Sequence, residues 1–204
     1  MVGVLTHIFD KSKPKCKGII HVGGHFGQEI PFYLENITRN VIVYEPLDSC
    51  FKTLFDSFGY SVDCRKKAVG SFNGEVELNV DEENFGQSSS VLKPKEHLIQ
   101  YPSITFSKKQ KTPIVSLDSD IECPRDFNVL IVDVQGYELE VFTGAANLIK
   151  NSIEYIICEV NSVEMYEKCA NIKDLDFYLG DSGFKRIMTV WECDNWGNAL
   201  YAKL

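Results

Sequence analysis

The chain has 204 residues, 44% hydrophobic and 25% charged, which is enough for a substantial core and too apolar for a disordered chain. Lys and Arg total 21 against 29 Asp and Glu, and this net charge of −8 argues against general nucleic-acid binding driven by phosphate neutralisation. No apolar run approaches the roughly 20 residues that span a bilayer, so membrane insertion is not expected.

In chain order, residues 17–22 predict a buried strand ending in a glycine loop, with a short helix over 30–34 behind it. Pro31 falls in that helix's first turn, where a missing N–H costs little. Residues 40–45 predict a second strand stopped by Pro46, and residues 49–58 a helix carrying Phe51, Leu54, Phe55 and Phe58 on one face. Residues 61–69 read as a third strand, followed by a turn over 70–74 and an alternating strand over 75–80. Further on, residues 127–132 and 153–160 read as strands around a helix over 138–149, and residues 172–182 as another helix. Residues 184–191 and 199–204, joined by a polar connector over 194–198, predict a closing antiparallel pair.

This alternation specifies an α/β sandwich with a mostly parallel sheet. No repeat or linker divides the sequence, so residues 1–204 are expected to form one domain with an N-terminal arm over 1–16. Residues 83–111 interrupt the pattern: they are polar and carry Ser88-Ser89-Ser90, Pro94, Pro102 and Lys108-Lys109-Gln110-Lys111. A segment of that length is either a solvated insertion or a substrate-binding loop. No secretory core precedes His7, Asp10 and Lys11. The seven cysteines include no Cys-x-x-Cys pair, so reduced thiols in the cytoplasm are expected.

The strongest local signal is Ile19-Ile20-His21-Val22-Gly23-Gly24-His25-Phe26-Gly27-Gln28-Glu29, a strand turning at glycines into a helix. Its spacing fails the Gly-x-Gly-x-x-Gly fingerprint for dinucleotides: His25 and Gln28, or Phe26 and Glu29, stand where glycines are required. Glu45 ends the second strand 22 positions after Gly23, the separation at which an acid binds a ribose diol. A glycine loop with a spaced acid but no pyrophosphate fingerprint points to S-adenosylmethionine. A helix N-cap or surface role for Glu45 is the structural alternative.

Asp133 ends the fourth core strand and Glu159 the fifth, so their carboxylates are expected at one edge of a cleft. Carboxylates that close must share a proton, pair with a cation or bind a metal.

The sequence resembles the FkbM family of S-adenosylmethionine-dependent methyltransferases. The resemblance rests on residues 21–28, on Tyr44-Glu45-Pro46, on Ile131-Val132-Asp133-Val134-Gln135-Gly136-Tyr137-Glu138 with Gly144-Ala145, and on the serine-rich stretch at 84–90. Ala199-Leu200-Tyr201 is similar to the family's closing strand. His21 stands where the family usually has an acid, and Gln135 where it commonly has Glu. The resemblance implies a class I methyltransferase fold: a Rossmann-like three-layer sandwich with strand order 3-2-1-4-5-7-6 and an antiparallel C-terminal strand.

It also implies O-methylation of a sugar, glycan or polyketide hydroxyl, with a saccharide the favoured acceptor. The cofactor-facing residues it implies are Gly23, Gly24, Gly27, Glu45, Ala68 and Asp133, and the candidate set extends to His25, Gln28, Pro46, Lys67, Ser89 and Gln135.

A sugar hydroxyl is about as weakly acidic as water, near pKa 16, so its proton must be removed or its oxygen coordinated. In one mechanism Asp133 is the general base and Glu159 or Glu138 orients the substrate; in another, Asp133, Glu159 and Asn161 hold Mg2+ or Mn2+. His25 is a third candidate base, or a loop residue packed on the ligand. Phe85, Tyr101, Phe106, Tyr137, Trp191 and Trp196 are candidate platforms for a sugar ring, with a core position expected for Trp191. The basic clusters at 65–67 and 108–111 are read as solvated faces, with a phosphorylated carrier or nucleotide sugar as the alternative. Two other functions remain open: a nicotinamide-dependent oxidoreductase, which lacks both its fingerprint and a Tyr-x-x-x-Lys pair, and a cofactor-binding module without catalysis.

Overall fold

The computed structural model describes residues 5–7, 9 and 15–204. Of the expected N-terminal arm, residues 1–4, 8 and 10–14 lie outside the described residues. Leu5 and Phe9 of the same stretch are buried, Phe9 edge-on to Phe32.

Short β-branched runs form the strands β1 (Ile19–Val22) and β2 (Val41–Tyr44), each buried at every residue. Helix α1 (Ile30–Asn36) follows the first and α2 (Asp48–Phe58) the second. Then come β3 (Asp63–Arg65), β4 (Ala68–Val69), β5 (Gly74–Val80), α3 (Glu96–Gln100), β6 (Lys108–Val115) and α4 (Leu117–Asp120). The second half is β7 (Val129–Val132), α5 (Glu138–Thr143), α6 (Ala146–Asn151), β8 (Tyr155–Asn161), α7 (Ile172–Asp181), β9 (Phe184–Trp191) and β10 (Trp196–Lys203).

Seven strands make one sheet in the order β3-β2-β1-β7-β8-β10-β9. All run parallel except β10, which is antiparallel to both neighbours, so the expected class I topology is present. Alternate residues feed two cores: Ile20, Val22, Leu130, Val132 and Ile156 pack with α5, α6 and α7, and Ile19, Val41, Val43, Val129 and Ile131 with α1 and α2. Helices therefore cover both faces of the sheet. No helix among the described residues is long and apolar enough to cross a membrane. All seven cysteines are free.

The elements differ from expectation at four places. The strand predicted over 61–69 divides: β3 joins β2 in the main sheet, while β4 leaves to pair with β6 in a second, three-stranded sheet ordered β4-β6-β5. Residues 108–111, expected in the polar loop, begin β6 and pair antiparallel with β5. Their lysines meet carboxylates across the ladder, Lys111 with Glu75 at 3.4 Å, Lys109 with Glu77 at 4.0 Å and Lys108 with Glu82. The closing hairpin turns earlier, because Trp196 already belongs to β10. Trp191 is 45% exposed and so is not a core residue.

The helix predicted over 138–149 breaks at Gly144-Ala145. A side chain at Gly144 would overlap the carbonyl oxygen of Gly70, where the second sheet abuts α5, and the Gly144 carbonyl accepts the Asp118 N–H at 2.9 Å. Gly144→Ala is therefore expected to destabilise the protein by about 1–3 kcal/mol, the usual cost of overpacking, read as a lower urea midpoint. An unchanged midpoint would show that this contact is loose.

Candidate active site

The carboxyl ends of β1, β2, β7 and β8 open onto a cleft of about 480 Å3. At the end of β1, Gly23 has φ +90, and a Cβ there would run into the carbonyl of Asp133, so glycine lets β1 and β7 close against each other. The N–H groups of Gly23 and Gly24 both donate to Tyr44 O, at 2.9 and 3.0 Å, which ties the loop to β2. Gly24 packs against Val43, and Gly27 (φ +80) against Leu54, Ile30 and Phe58. These two glycines do not line the cleft, although the resemblance placed them there; they let the loop lie close to its helices.

Glu45, only 4% exposed, follows β2. One of its oxygens accepts the His25 N–H and the other the Leu47 N–H, both at 2.8 Å. The carboxylate is thus held in place, with lone pairs left for two further donors such as a ribose diol. Burial pushes its pKa up to about 7. Pro46, Ala68 and Ser89 line the cleft beside it. Lys67 also lines it, but its ammonium is paired with Asp120 at 2.6 Å, in a group that includes Arg65 and Tyr44. With Lys66 bound to Asp48 at 2.7 Å, the cluster at 65–67 is neutralised within the chain.

His25, at φ 47, has both ring nitrogens engaged: Nε2 with the Phe85 carbonyl at 2.8 Å, and Nδ1 with the Gln28 amide nitrogen at 3.0 Å. This arrangement makes it a clamp on the 84–90 loop. Asp81, which the sequence reading missed, organises that loop from beneath. Its carboxylate accepts the N–H groups of Asn84, Gly86 and Ser88, the last at 2.6 Å. The Asp81 backbone N–H donates to Ser89 Oγ.

Asp133, Gln135 and Glu159 meet at the opposite wall. Gln135 takes φ 55 ahead of Gly136 at φ +95, a turn that aims its amide at both acids. Gln135 Nε2 donates to Asp133 Oδ1 and Glu159 Oε2, each at 2.9 Å, and its Oε1 accepts from the Tyr166 hydroxyl at 2.9 Å. Burial and the Asp133 charge push Glu159 well above the carboxylate range. Asp133 is also raised by burial, against hydrogen bonds from Gln135 and Glu159 that favour its charged form.

Glu138 does not line the cleft; it is buried under the turn, accepting the Val134 and Gly136 N–H groups at 3.1 Å each. Burial raises its pKa to about 7. Asn161 lies near Glu159 but outside the main cleft. A metal fits poorly between these acids, because the Gln135 amide already donates to both. Among the described residues, no group of three or more His, Cys, Asp or Glu is placed to hold one.

His21 is buried on the α1 side against Tyr33, where burial lowers its pKa to about 4 and keeps it neutral. Glu29, at the end of the loop, lines the cleft instead, as does Asn198, brought opposite Glu159 by the antiparallel register of β10. Leu47, Leu78 and Val91 form an apolar wall suited to a flat base. Of these residues only Glu29 had a local signal, its place at the end of the glycine loop.

Comparison with known proteins bears on the fold and the family. No curated protein matches the sequence significantly. A solved structure of an FkbM methyltransferase from Methylobacillus flagellatus KT superposes with TM-score 0.62 and 14% identity, over 91% of this chain and 43% of that one, so this chain spans under half its length. Magnesium protoporphyrin IX methyltransferase from Synechocystis PCC 6803, solved with bound S-adenosylmethionine, gives TM-score 0.55 and 11% identity over 99% and 76% of the two chains. A candidate tRNA (m1A22) methyltransferase from Streptococcus pneumoniae gives 0.57 and 12% over 100% and 71%. The family profile of the methyltransferase FkbM domain matches residues 21–186, most of the chain, and the chain belongs to that family of S-adenosylmethionine-binding methyltransferases.

Proposed function

We propose that this chain is an S-adenosylmethionine-dependent O-methyltransferase acting on a hydroxyl of a sugar or glycan. The observation that carries the reading is the acid wall of the cleft, in which Asp133, Gln135 and Glu159 form one hydrogen-bonded unit facing the glycine loop and Glu45. The cleft fits the cofactor: Glu45 is positioned for the ribose hydroxyls, Leu47, Leu78 and Val91 for the base, and Glu29 and Gly23 lie at the loop end. The bound cofactor supplies an electrophilic methyl group on a sulfonium.

The chain's own residues do the rest. Glu159, neutral because it is deeply buried beside another acid, leaves the charge on Asp133. Asp133 is then a carboxylate of raised basicity, suited to take the acceptor's proton as the new C–O bond forms. Gln135 holds both acids in register, and alignment supplies much of the remaining rate. His25 and Glu138 are positioning residues, the first for the 84–90 loop and the second for the turn after β7. Residues 83–107 form the substrate loop of a single catalytic domain. The structural relatives act on a porphyrin and, in name, on tRNA, so the acceptor is argued from this chain and its family resemblance. Internal pairing of both basic clusters supports a neutral acceptor over nucleic acid, and seven free cysteines support a cytoplasmic location.

Three outcomes are expected. Asp133→Asn abolishes methyl transfer, by about 100-fold or more, yet keeps S-adenosylmethionine binding measurable by calorimetry; a fully active variant would remove Asp133 as the base. Exhaustive chelation leaves the rate undiminished, because the acids are joined by an amide, and a rate restored only by Mg2+ or Mn2+ would reverse that assignment.

The third concerns pH. Acids raised by burial, with Glu45 and Glu138 at about 7, hold extra protons in the folded state between roughly pH 4.5 and 7. Their contribution to stability is therefore full below that window and lost as pH rises through about 7. A cationic ligand favours the ionised acids, so its affinity rises from about pH 6 to about pH 8. Calorimetry at both values reads this, with NAD as a control that gives no binding heat; equal affinities, or heat with NAD, would count against the reading.

A further inference from the structure

A second cavity, of about 310 Å3, adjoins the main cleft, and Gln135, Glu159 and Trp196 line both. Its size is at the lower end for ligand sites, room for one ring and not a chain. Two buried polar atoms of its lining residues have no hydrogen-bond partner: Nδ1 of His97, which is 3% exposed, and Oδ1 of Asn161, which is 1% exposed. Leaving such an atom unpaired costs about 1–3 kcal/mol, so folded proteins seldom keep two together without use. The Asn161 amide nitrogen is turned toward Glu159 at 3.4 Å, and its carbonyl oxygen can only accept. No described side chain supplies that donor, and a ligand hydroxyl is a chemically matched one.

The wall holds no Lys or Arg, so nothing there would neutralise a phosphate or carboxylate. Aromatic side chains complete it. Trp196 Nε1 donates to the Tyr101 hydroxyl at 2.9 Å, and that bond holds the two rings in place. Tyr166, beside His97, donates its hydroxyl proton to Gln135 Oε1 or to the Ser88 carbonyl. Fixed aromatic faces and unpaired polar atoms suit a ring that is apolar on its C–H face and hydroxylated around its edge.

We propose that this cavity is the acceptor subsite and takes a single neutral saccharide ring, hydrogen-bonded by Asn161 Oδ1 and His97 Nδ1, with its reacting hydroxyl reaching past the shared Gln135–Glu159 wall into the main cleft, which Asp133 lines. This rests on the methyltransferase reading above and adds where the acceptor sits and what it is. The acceptor oxygen gains the methyl carbon and gives its proton to Asp133, while the C–S electron pair stays on sulfur and S-adenosylhomocysteine leaves.

The test titrates methyl pyranosides of the gluco, galacto, manno, rhamno and fuco series into the full chain saturated with S-adenosylhomocysteine. Wild type is compared with Asn161→Leu, which removes the acceptor atom at similar volume, and Tyr101→Ala, on the aromatic wall. At least one glycoside binds wild type, and both variants weaken it tenfold or more with S-adenosylhomocysteine affinity unchanged. If Asn161→Leu loses the cofactor through misfolding, Tyr101→Ala alone decides. The subsite is overturned if no glycoside binds the loaded wild type, if neither variant weakens binding, or if only nucleotide sugars bind and the free nucleotide displaces them. Failure of wild type to bind S-adenosylhomocysteine at all would instead overturn the methyltransferase reading.

Discussion

Parallel strands deliver their last residues to one edge of the sheet, and in this protein that edge is acidic. Asp133 and Glu159 arrive on neighbouring strands with no lysine or arginine among the described residues paired to either, so a neutral group must hold the charged acid and the protonated one together. The Gln135 amide does this. Its two N–H groups reach one oxygen of each acid, and the bond to the charged Asp133 contributes about 1.5–3 kcal/mol. A glutamate here would add a third carboxylate to the same few ångströms. The amide keeps the pair together while remaining neutral.

The opposite side of the cleft uses similar economy. Asp81 gathers three backbone N–H groups of the 84–90 loop, and His25 fastens the same loop through the Phe85 carbonyl. His25, Phe85 and Gln135 all have positive φ, a conformation that side-chain-bearing residues adopt at a cost. Three such residues around one cleft mark where the fold gives up backbone comfort to place particular atoms.

Central strands were legible because four-residue apolar runs such as Val129–Val132 have few alternatives to burial. β6 was not, since its first half is lysine-rich, and those lysines become intelligible only opposite Glu75, Glu77 and Glu82. The break in the helix after Glu138 depends on Gly70, which is 74 positions away from Gly144 and invisible to periodicity. For the site, strand-end acids were readable because position along a strand determines where they emerge. Glu138 was misjudged because its carboxylate turns back to cap its own loop. Asn198 is placed only by the register of β10 against β8, and Asp81 only by the loop it gathers.

The contact between Gly144 and Gly70 has a mechanical side. It pins the second sheet to α5 at the corner where β4 and β6 end and β5 begins, and the Asp118 bond to the Gly144 carbonyl secures the same corner. β5 and β6 then run outward as a two-stranded ribbon, with Asp81 and its loop at the far end. That far end is held as well, by His25 on the Phe85 carbonyl, Gln110 on the Pro46 carbonyl and Tyr166 at the Ser88 carbonyl, so the ribbon is a strap fixed at both ends along the cleft. The smallest residues in the chain thus fasten one end of the strap that frames its cleft.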